Sequence, residues 1–386
     1  MDEKKKVPKL RFPGFTDDWE QRKLGDILKY EQPGEYIVDS TNYDDSYNTP
    51  VLTAGQTFIL GYTNETTGIK NASENNPVII FDDFTTSSHF VDFSFKIKSS
   101  AMKLLTLIDD MDDIYCINNI LENIDYVPVS HERHWISIFS KFDVIVPKDK
   151  DEQKKIGDYF RKLDHLITLH QRKLQHKKDF KKAMLQKMFP KKGEKYPEIR
   201  FPEFTDAWEQ RKFGDVGSVA MCKRIFKGQT SDKGEVPFYK IGTFGGKPDA
   251  FISRELFNEY KTKYPYPNKG DILISASGSI GRTVEFTGKD EYFQDSNIVW
   301  LKHESEIDNN FLKVLYSVVE WSCEGSTIKR LYNDNFLKTE FMLPQIDEQI
   351  KLGTFFASLD NLITLHQREL ENLKKLKKAC LQKMFV

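Results

Sequence analysis

The chain repeats one segment: residues 151–189 read DEQKKIGDYFRKLDHLITLHQRKLQHKKDFKKAMLQKMF and residues 347–385 read DEQIKLGTFFASLDNLITLHQRELENLKKLKKACLQKMF. The copies align without a gap at an offset of 196, and 25 of 39 positions are identical. Apolar residues recur in both with the alternating spacing of four and three that is typical of a coiled-coil seam. The pattern predicts two long helices, with seams of Ile156, Phe160, Leu163, Ile167, Leu174, Met184 and Met188 in the first copy and Leu352, Phe356, Leu359, Ile363, Leu370, Leu373, Cys380 and Met384 in the second.

Three lysines also fall on these seams. Lys177, Lys181 and Lys377 occupy positions that a coiled coil normally fills with apolar side chains. We therefore expect the first helix to loosen, or to shift its register, beyond Leu174.

A shorter repeat precedes each divergent part of the chain. Residues 10–26 read LRFPGFTDDWEQRKLGD and residues 199–215 read IRFPEFTDAWEQRKFGD, with 13 of 17 positions identical. The intervening residues 27–146 and 216–343 barely resemble each other. Repeated segments that flank two different inserts predict a pseudo-symmetric scaffold that carries two different heads.

Each insert has the pattern of a mixed α/β domain. Short apolar runs such as 77–81 and 270–274 are bounded by turn residues and predict buried strands. The polar segment 190–195 contains proline and glycine and predicts a linker. The predicted domains are a first head at residues 1–146, a first helix at 147–190, a linker and second head at 191–343, and a second helix at 344–386.

Composition limits the class of protein. Hydrophobic residues make up 39% and charged residues 30%, and no run approaches the length of a membrane span. The four scattered cysteines form no CxxC pair, so we expect reduced thiols in a cytoplasmic protein. The net charge of −1 gives no sign of a basic protein, but 57 lysines and arginines allow a local basic surface.

The repeated motifs resemble those of a known family. RFPxFTxxWEQRKxGD occurs at residues 11–26 and 200–215, and the long repeats contain DEQxKxG, LDxLITLHQR and LQKMF. These motifs, in this order, are similar to those of the specificity subunits of type I restriction–modification systems. The run GDILISASGSIG at residues 270–281 also looks like the strand and glycine loop of target-recognition domains in that family. Residues 78–87 occupy the matching place in the first half but lack the glycine pattern.

The resemblance implies both a fold and a role. It implies an α/β (α+β) protein with two target-recognition domains, each reading half of a split DNA sequence and held apart by two long antiparallel coiled-coil helices. It also implies two methyltransferase subunits that bring S-adenosylmethionine and dock on the helices, and restriction subunits driven by ATP.

Enzymatic motifs are absent from the sequence. No Pro-Pro pair exists to form a base-gripping methyltransferase motif, and no Walker A loop is present. The run 131–134, HERH, has the wrong spacing for a zinc helix. His170 and His366 share one heptad position, which allows a metal site, a pH switch or a polar residue that fixes register. We expect no catalytic site, metal or cofactor in this chain. Asp82 and Asp83, like Asp109 and Asp110, could be nuclease carboxylates, but we interpret all four as exposed turn residues.

Polar and basic residues near the predicted loops are the candidates for DNA contact, because such side chains read base edges and grip phosphates. Each could instead be a solvated surface residue or a capping hydroxyl. The candidates are Thr53, Gln56, Thr85, Thr86, Ser87, Arg133 and His134 in the first head, and Lys223, Arg224, Lys240, Thr243, Ser275, Ser277, Ser279, Arg282, Lys329 and Arg330 in the second.

The short repeats place aromatic residues in a polar context. Trp19 and Trp208 are therefore candidates for contact with the methyltransferase partners, or for closure of the core of each head. Other possible functions are a structural coiled-coil adaptor, a DNA-binding protein without methyltransferase partners, and an enzyme with unfamiliar motifs. Sequence-selective DNA binding would exclude the adaptor, and an inactive pure chain would exclude the enzyme.

Overall fold

Two compact units make up the chain in the computed structural model. The first unit consists of residues 1–172 with 368–386, and the second is the continuous stretch 173–367. No helix among the described residues is both long enough and apolar enough to cross a membrane. The structure describes residues 7–53, 58–128, 133–325 and 329–385.

The first half of the chain forms a mixed head followed by a long helix. In chain order its elements are β1 (Glu20–Lys23), α1 (Leu24–Ile27), β2 (Leu28–Glu31), a 3-10 turn (Pro33–Tyr36), β3 (Thr49–Leu52), β4 (Ile59–Thr63), β5 (Val78–Asp82), β6 (Ser88–Val91), β7 (Lys96–Ile97), β8 (Met102–Leu107), α2 (Ile114–Glu122), α3 (His134–Ser137), a 3-10 turn (Phe139–Lys141), β9 (Asp143–Val146) and α4 (Lys150–Lys187).

The second half repeats this plan. Its elements are β10 (Glu209–Lys212), α5 (Phe213–Val216), β11 (Gly217–Met221), a 3-10 turn (Lys227–Gln229), β12 (Val236–Tyr239), β13 (Ala250–Ile252), α6 (Arg254–Lys263), β14 (Ile272–Ser275), β15 (Thr283–Glu285), β16 (Tyr292–Phe293), β17 (Ile298–His303), α7 (Asn309–Val318), α8 (Asn333–Lys338), β18 (Glu340–Leu343) and α9 (Ile346–Met384).

The two heads share one sheet topology although their sequences diverge. The first head has sheets of order β2-β8-β5-β6 and β4-β3-β7, and the second has the matching orders β11-β17-β14-β15 and β13-β12-β16. In each half the strand of the short repeat pairs antiparallel with the strand before the long helix, β1 with β9 and β10 with β18. The short repeat thereby closes each head just before its helix begins.

The central strand of each head is buried on both faces. In β5, Ile79 and Phe81 pack into one core, whereas Val78 and Ile80 pack into another. This explains why the strand is continuously apolar and does not alternate with polar residues. Strand β14 follows the same rule, because Leu273 faces a different core from its neighbours.

The predicted mixed fold with two long helices is confirmed. Helices α4 and α9 lie inside the predicted segments 147–190 and 344–386. The division into four domains remains a prediction, because each compact unit contains parts of both helices.

In the first unit, the beginning of α4 and the end of α9 run antiparallel. The Tyr159 hydroxyl lies 3.4 Å from Cys380 Sγ, and Asp164 Oδ1 lies 2.8 Å from Lys377 Nζ. Residue numbers therefore rise along one helix as they fall along the other. The same aspartate accepts a hydrogen bond from Tyr115 of α2, which ties the head to both helices.

The second unit has the equivalent arrangement. Lys181 Nζ lies 2.5 Å from Asp360 Oδ1, and the Phe189 ring centroid lies 6.2 Å from that of Phe356. Helix α4 is unbroken to Lys187, so it does not loosen beyond Leu174, and the alternative, a shift of register, remains a prediction. Lys181 is tolerated on the seam because Asp360 of the opposite helix pairs with it, and Asp164 pairs in the same way with Lys377.

A buried glutamate anchors the short repeat at the start of α4. Glu152 is fully buried and accepts two hydrogen bonds from Arg11, from Nε at 2.6 Å and Nη2 at 2.8 Å. Trp19 Nε1 donates a third bond to it at 3.2 Å. The pairing raises the pKa of Arg11, chiefly through the hydrogen bond. In the second unit Arg200 and Glu348 form the same two-bond pair, at 2.8 Å each.

The rest of the DEQxKxG motif fits the head onto the helix. Gln153 donates to Pro147 O at 2.8 Å and accepts from Asp113 N at 3.0 Å, so it reaches the N-cap of α2. A Cβ atom on Gly157 would lie 1.9 Å from Asp113 Oδ1, so only glycine permits this close approach. Gly353 is equally confined, because its Cβ would lie 2.7 Å from Phe311 N.

We predict that Arg11→Ala strongly destabilises the first unit. Removing the guanidinium leaves the Glu152 carboxylate buried without its partner, which costs about 3–5 kcal/mol. Urea denaturation of the purified chain measures the effect. Arg172→Ala, an exposed position in α4, is the control and should change stability by no more than about 0.5 kcal/mol. Equal losses in the two variants would contradict the assigned role of the pair.

Candidate nucleic-acid interface

One edge of the four-stranded sheet of the second head gathers many of the predicted contact residues. Neighbouring strands run antiparallel, so the ends of β11 and β14 lie beside the starts of β15 and β17. We call this the loop edge of the second head. Six candidates lie in or next to its loops: Lys223, Arg224, Ser275, Ser277, Ser279 and Arg282.

The loop between β14 and β15 is held by a buried serine. Ser275 Oγ donates to Ser279 O at 2.6 Å and accepts from Arg282 N at 2.9 Å. Ser275 is fully buried and Ser277 is 7% exposed, whereas Ser279 and Arg282 lie at the surface. In this conformation the buried pair shapes the loop, and the exposed pair is accessible to a ligand.

Glycine permits the course of this loop. Gly278 has φ +67° and Gly281 has φ +89°, a region that side chains rarely adopt. The glycine loop that resembles the family pattern is therefore required by backbone geometry.

Two further basic residues lie against the same loop. Gly278 N–H donates to Lys329 O at 3.1 Å, and Leu331 N–H donates to Ala276 O at 2.8 Å. Between these anchors, Arg330 forms isolated bridges with Ser277 and Glu324. Lys329 and Arg330 are exposed, so the structure brings them to the loop edge from a distant part of the sequence.

Arg282 connects the loop to the turn after β12. Its Nη2 donates to Ile241 O at 3.1 Å, and its guanidinium carbon lies 5.9 Å from the centre of the Phe244 ring. Thr243 Oγ1 accepts from Lys240 N at 3.1 Å, so this threonine stabilises the turn. The predicted pair Lys240 and Thr243 thus lies beside Arg282.

Some of the predicted cations are already engaged. Arg224 Nε lies 2.6 Å from Asp295 Oδ2, and Lys240 Nζ lies 2.9 Å from Asp249 Oδ1. Lys223 Nζ lies 5.0 Å from the Tyr264 ring centre. These carboxylates reduce the net positive charge of the edge, so a phosphate would have to compete with them.

The first head has an equivalent loop edge, formed by the ends of β2 and β5 and the starts of β6 and β8. A tight turn joins β5 to β6, with Thr86 N–H donating to Asp82 O at 3.0 Å. The Thr85 and Ser87 hydroxyls lie 2.8 Å apart. Thr53 follows β3, next to the Lys98 N–H that donates to Leu52 O at 2.9 Å. Gln56, His131 and Glu132 lie outside the described residues.

The interpretation of Asp82 and Asp83 as exposed turn residues is wrong. Asp82 is 6% and Asp83 2% exposed. Asp83 Oδ2 lies 3.0 Å from the buried Lys103 Nζ, and Asp83 Oδ1 accepts from Trp135 N at 3.0 Å. His134, predicted to contact DNA, is instead fully buried, and its Nδ1 lies 2.5 Å from Asp83 O. These contacts bring the exposed Arg133, the N-cap of α3, next to the turn.

Lys103, which pairs with Asp83 beneath the turn, was not predicted from the sequence, although its position indicates a buried ion pair. It is the one lysine in the apolar strand MKLLTL at residues 102–107, and a buried lysine requires an acidic partner.

The two tryptophans of the short repeats are buried, each 1% exposed. Trp19 donates to Glu152, and the Trp208 ring centroid lies 5.7 Å from that of Phe189. Their placement agrees with the alternative in which these aromatics close the core of each unit. Neither indole is accessible to a partner in this conformation, so the contact predicted for Trp19 and Trp208 would have to come from their neighbours.

His170 has an acidic neighbour in the first unit. Its Nδ1 lies 3.3 Å from Glu369 Oε2 of α9. This contact agrees with a polar position in the helix seam, one of the alternatives that the sequence allows.

Comparison with known proteins agrees with the arrangement of repeats. The family described as type I restriction modification DNA specificity domain matches residues 16–176 and 205–375. A Haemophilus influenzae type I restriction enzyme specificity subunit is 56% identical over 158 residues, 40% of this chain and 41% of the relative. An Escherichia coli type I restriction enzyme specificity subunit is 47% identical over 153 residues, 38% of this chain and 37% of the relative. This chain therefore aligns with about two fifths of the length of each.

A more distant relative matches almost throughout. The MjaVIII specificity subunit of Methanocaldococcus jannaschii is 23% identical over 403 residues, 97% of this chain and 93% of the relative.

Solved structures share the fold at low sequence identity. A type I restriction–modification S subunit from M. genitalium has a TM-score of 0.68 at 13% identity, covering 98% of this chain and 99% of that one. A chain from a structure describing complex assembly and conformational transition of a type I R-M system has a TM-score of 0.51 at 14% identity, with the same coverage.

Proposed function

Because this chain belongs to the type I restriction modification DNA specificity domain family, we propose that it reads a bipartite DNA target, with each head reading one half. The observation that carries the proposal is the pair of loop edges. Both edges have the same strand order, but one presents Ser279 and Arg282 on a glycine loop and the other Phe84 and Thr85 on a tight turn. Base reading depends on a few side chains held at a groove, so one scaffold can serve two sequences.

In this proposal some side chains of each loop edge contact bases and others contact phosphates. Arg282 and Arg330 are suited to bidentate contact with guanine, and Lys329 is suited to a phosphate. Thr85 and Ser87 of the first head can donate to or accept from either bases or phosphates. The paired residues Lys240 and Arg224 would exchange their carboxylate partners for phosphates.

The chain supplies recognition and the chemistry lies elsewhere. We propose that two methyltransferase subunits provide S-adenosylmethionine-dependent methylation, that restriction subunits provide ATP-driven cleavage, and that the complex acts on DNA in the cytoplasm. A duplicated frame supports two equivalent docking places, because two identical subunits require two equivalent surfaces.

The docking surface is an exposed leucine pair that both long helices carry. Leu166 and Leu169 of α4 are 43% and 37% exposed in the first unit. Leu362 and Leu365 of α9 are 41% and 53% exposed in the second. The run LITLHQR around them is identical in the two copies. Exposed apolar side chains that recur at matching positions are what a partner present in two copies can bury.

Each head should read its half of the DNA target independently of the other head. Replacing residues 27–146 with the corresponding head of a relative should change one half of the methylated sequence and leave the other half unchanged, because each head has its own sheets and loop edge. Sequencing of methylated bases in a host carrying the exchanged gene measures this outcome. The unexchanged gene is the control, and a change in both halves, or in neither, would contradict the two-head proposal.

Partner docking should depend on the leucine pairs. Leu166→Glu combined with Leu362→Glu places a charge on each apolar surface, and we expect at least a tenfold loss of co-purified methyltransferase subunit. Lys162→Glu combined with Ser358→Glu is the control, since these exposed residues differ between the copies. Retention of both partners by the leucine variant, or an equal loss in the control, would exclude this surface.

The long helices are also proposed to set the gap between the half-sites. With 38 and 39 residues, each is roughly 57 Å long at 1.5 Å per residue. Duplicating one heptad in both, residues 163–169 and 359–365, adds roughly 10 Å, or about three base pairs.

We expect this variant either to methylate the same half-sites across a longer gap or to lose activity. Activity would be lost because about three base pairs turn the second half-site by roughly a quarter of a helical turn or more. Methylome sequencing distinguishes these results. Full activity at the original spacing would show that the helices do not set the distance.

A further inference from the structure

The Arg282 side chain is held between two loops of the second head. Its main-chain N–H donates to Ser275 Oγ at 2.9 Å, within its own loop. Its Nη2 donates to Ile241 O at 3.1 Å in the turn after β12, and its guanidinium carbon lies 5.9 Å from the centre of the buried Phe244 ring. The residue is exposed, but it is restrained both at its backbone and at its guanidinium.

A third loop restrains the segment to which Arg282 is bound. Gln294 follows β16, and its Oε1 accepts from Ile241 N at 2.8 Å. The Gln294 N–H donates to Tyr239 O at 2.9 Å, which continues the parallel pairing of β12 with β16. Ile241 therefore binds Gln294 through its amide and Arg282 through its carbonyl oxygen. The glutamine thus limits the movement of the carbonyl that holds the guanidinium.

The guanidinium of Arg282 retains donors for a ligand. Among the described residues its side-chain hydrogen bond is the one to Ile241 O, which uses one of the five N–H donors of a guanidinium. Two of the others can contact O6 and N7 of guanine, the commonest specific contact of arginine in the major groove. A side chain that is restrained before DNA arrives loses less conformational entropy on binding. Such restraint favours the reading of a base edge, because phosphates carry no sequence information.

The first head has neither residue at the equivalent place. Ser87 stands where the second head has Arg282, because the carbonyl oxygen of each accepts, at 2.9 Å, from the last residue of the strand before its loop. Lys98 stands where the second head has Gln294, because the amide of each donates, at 2.9 Å, to the last residue of the parallel strand beside it. The arginine and the glutamine therefore occur together in one head and are both replaced in the other, as expected of residues that act on the same base.

We propose that Arg282 reads a guanine in the half-site of the second head and that Gln294 is the positioning residue that restrains it. This inference rests on the proposed DNA-reading function. It names a base that the second head requires, and it assigns a role in specificity to a glutamine that acts through another residue.

Duplexes with altered guanines provide the direct test of the base contact. The full complex with its methyltransferase partners is titrated with the sequence that the host methylates, in which each G·C pair is replaced in turn by A·T. One such duplex, changed in the half-site of the second head, should bind about 5 to 150 times more weakly, the effect of losing a bidentate contact. At the same position 7-deazaguanine, which lacks N7, should also weaken binding. Arg282→Ala should abolish both differences.

Two substitutions of Gln294 test its positioning role. Gln294→Met is similar in size but lacks the acceptor for Ile241 N, so it should reduce the preference for guanine at that one position. Gln294→Glu retains an acceptor oxygen, so it should retain the preference, although its negative charge weakens binding to all duplexes alike.

Gln229→Met is the matched control. Gln229 Oε1 also accepts from a main-chain amide, Phe226 N at 2.9 Å, but it does so in the 3-10 turn after β11. This variant loses the same kind of hydrogen bond in the same head. It should leave the preference for guanine at the position read by Arg282 unchanged.

Several results would overturn the inference. A half-site of the second head without a G·C pair would do so, as would a preference for guanine that persists in Arg282→Ala. If Arg282→Ala weakens binding to all duplexes equally, the arginine contacts a phosphate. An unchanged preference in Gln294→Met, or an equal loss at every position of the half-site, would exclude the positioning role. A complex that selects no sequence at all would refute the proposed function itself, which is a distinguishable failure.

Discussion

The buried carboxylate in the first turn of each long helix is the contact on which the architecture depends. A glutamate removed from water must be paired, because an isolated buried charge costs several kcal/mol. Glu152 and Glu348 each receive two hydrogen bonds from an arginine of the short repeat. This requirement links the two repeats and explains why their motifs occur together in both halves.

Much of the fold follows from the sequence because the repeats carry strong periodic signals. The seam residues Phe160 and Phe356 are fully buried, as the heptad pattern indicates. The sequence also indicated that residues 78–87 and 270–281 correspond, and the matching sheet orders place both at the same strand and loop. The spacing of apolar residues indicates helices and strands because the residues that bury one face of such an element lie close together in the sequence.

The side chains of the candidate site were harder to predict, because their burial depends on contacts distant in sequence. Ser275 was a candidate for contact, but its hydroxyl bonds within its own loop. Asp83 looked like an exposed turn residue until the structure paired it with Lys103, on a neighbouring strand.

The discontinuity of the first unit has a consequence for synthesis on the ribosome. The core of this unit includes Cys380, Met384 and Phe385 together with Trp19 and Phe160. The first head therefore emerges long before the residues that complete its core, whereas the second unit is one continuous stretch, residues 173–367. Domains usually fold from the N-terminus onward during translation, but here the continuous second unit can close before the first one is complete. Until the last helix is made, the first unit lacks the side chains that cover this part of its core.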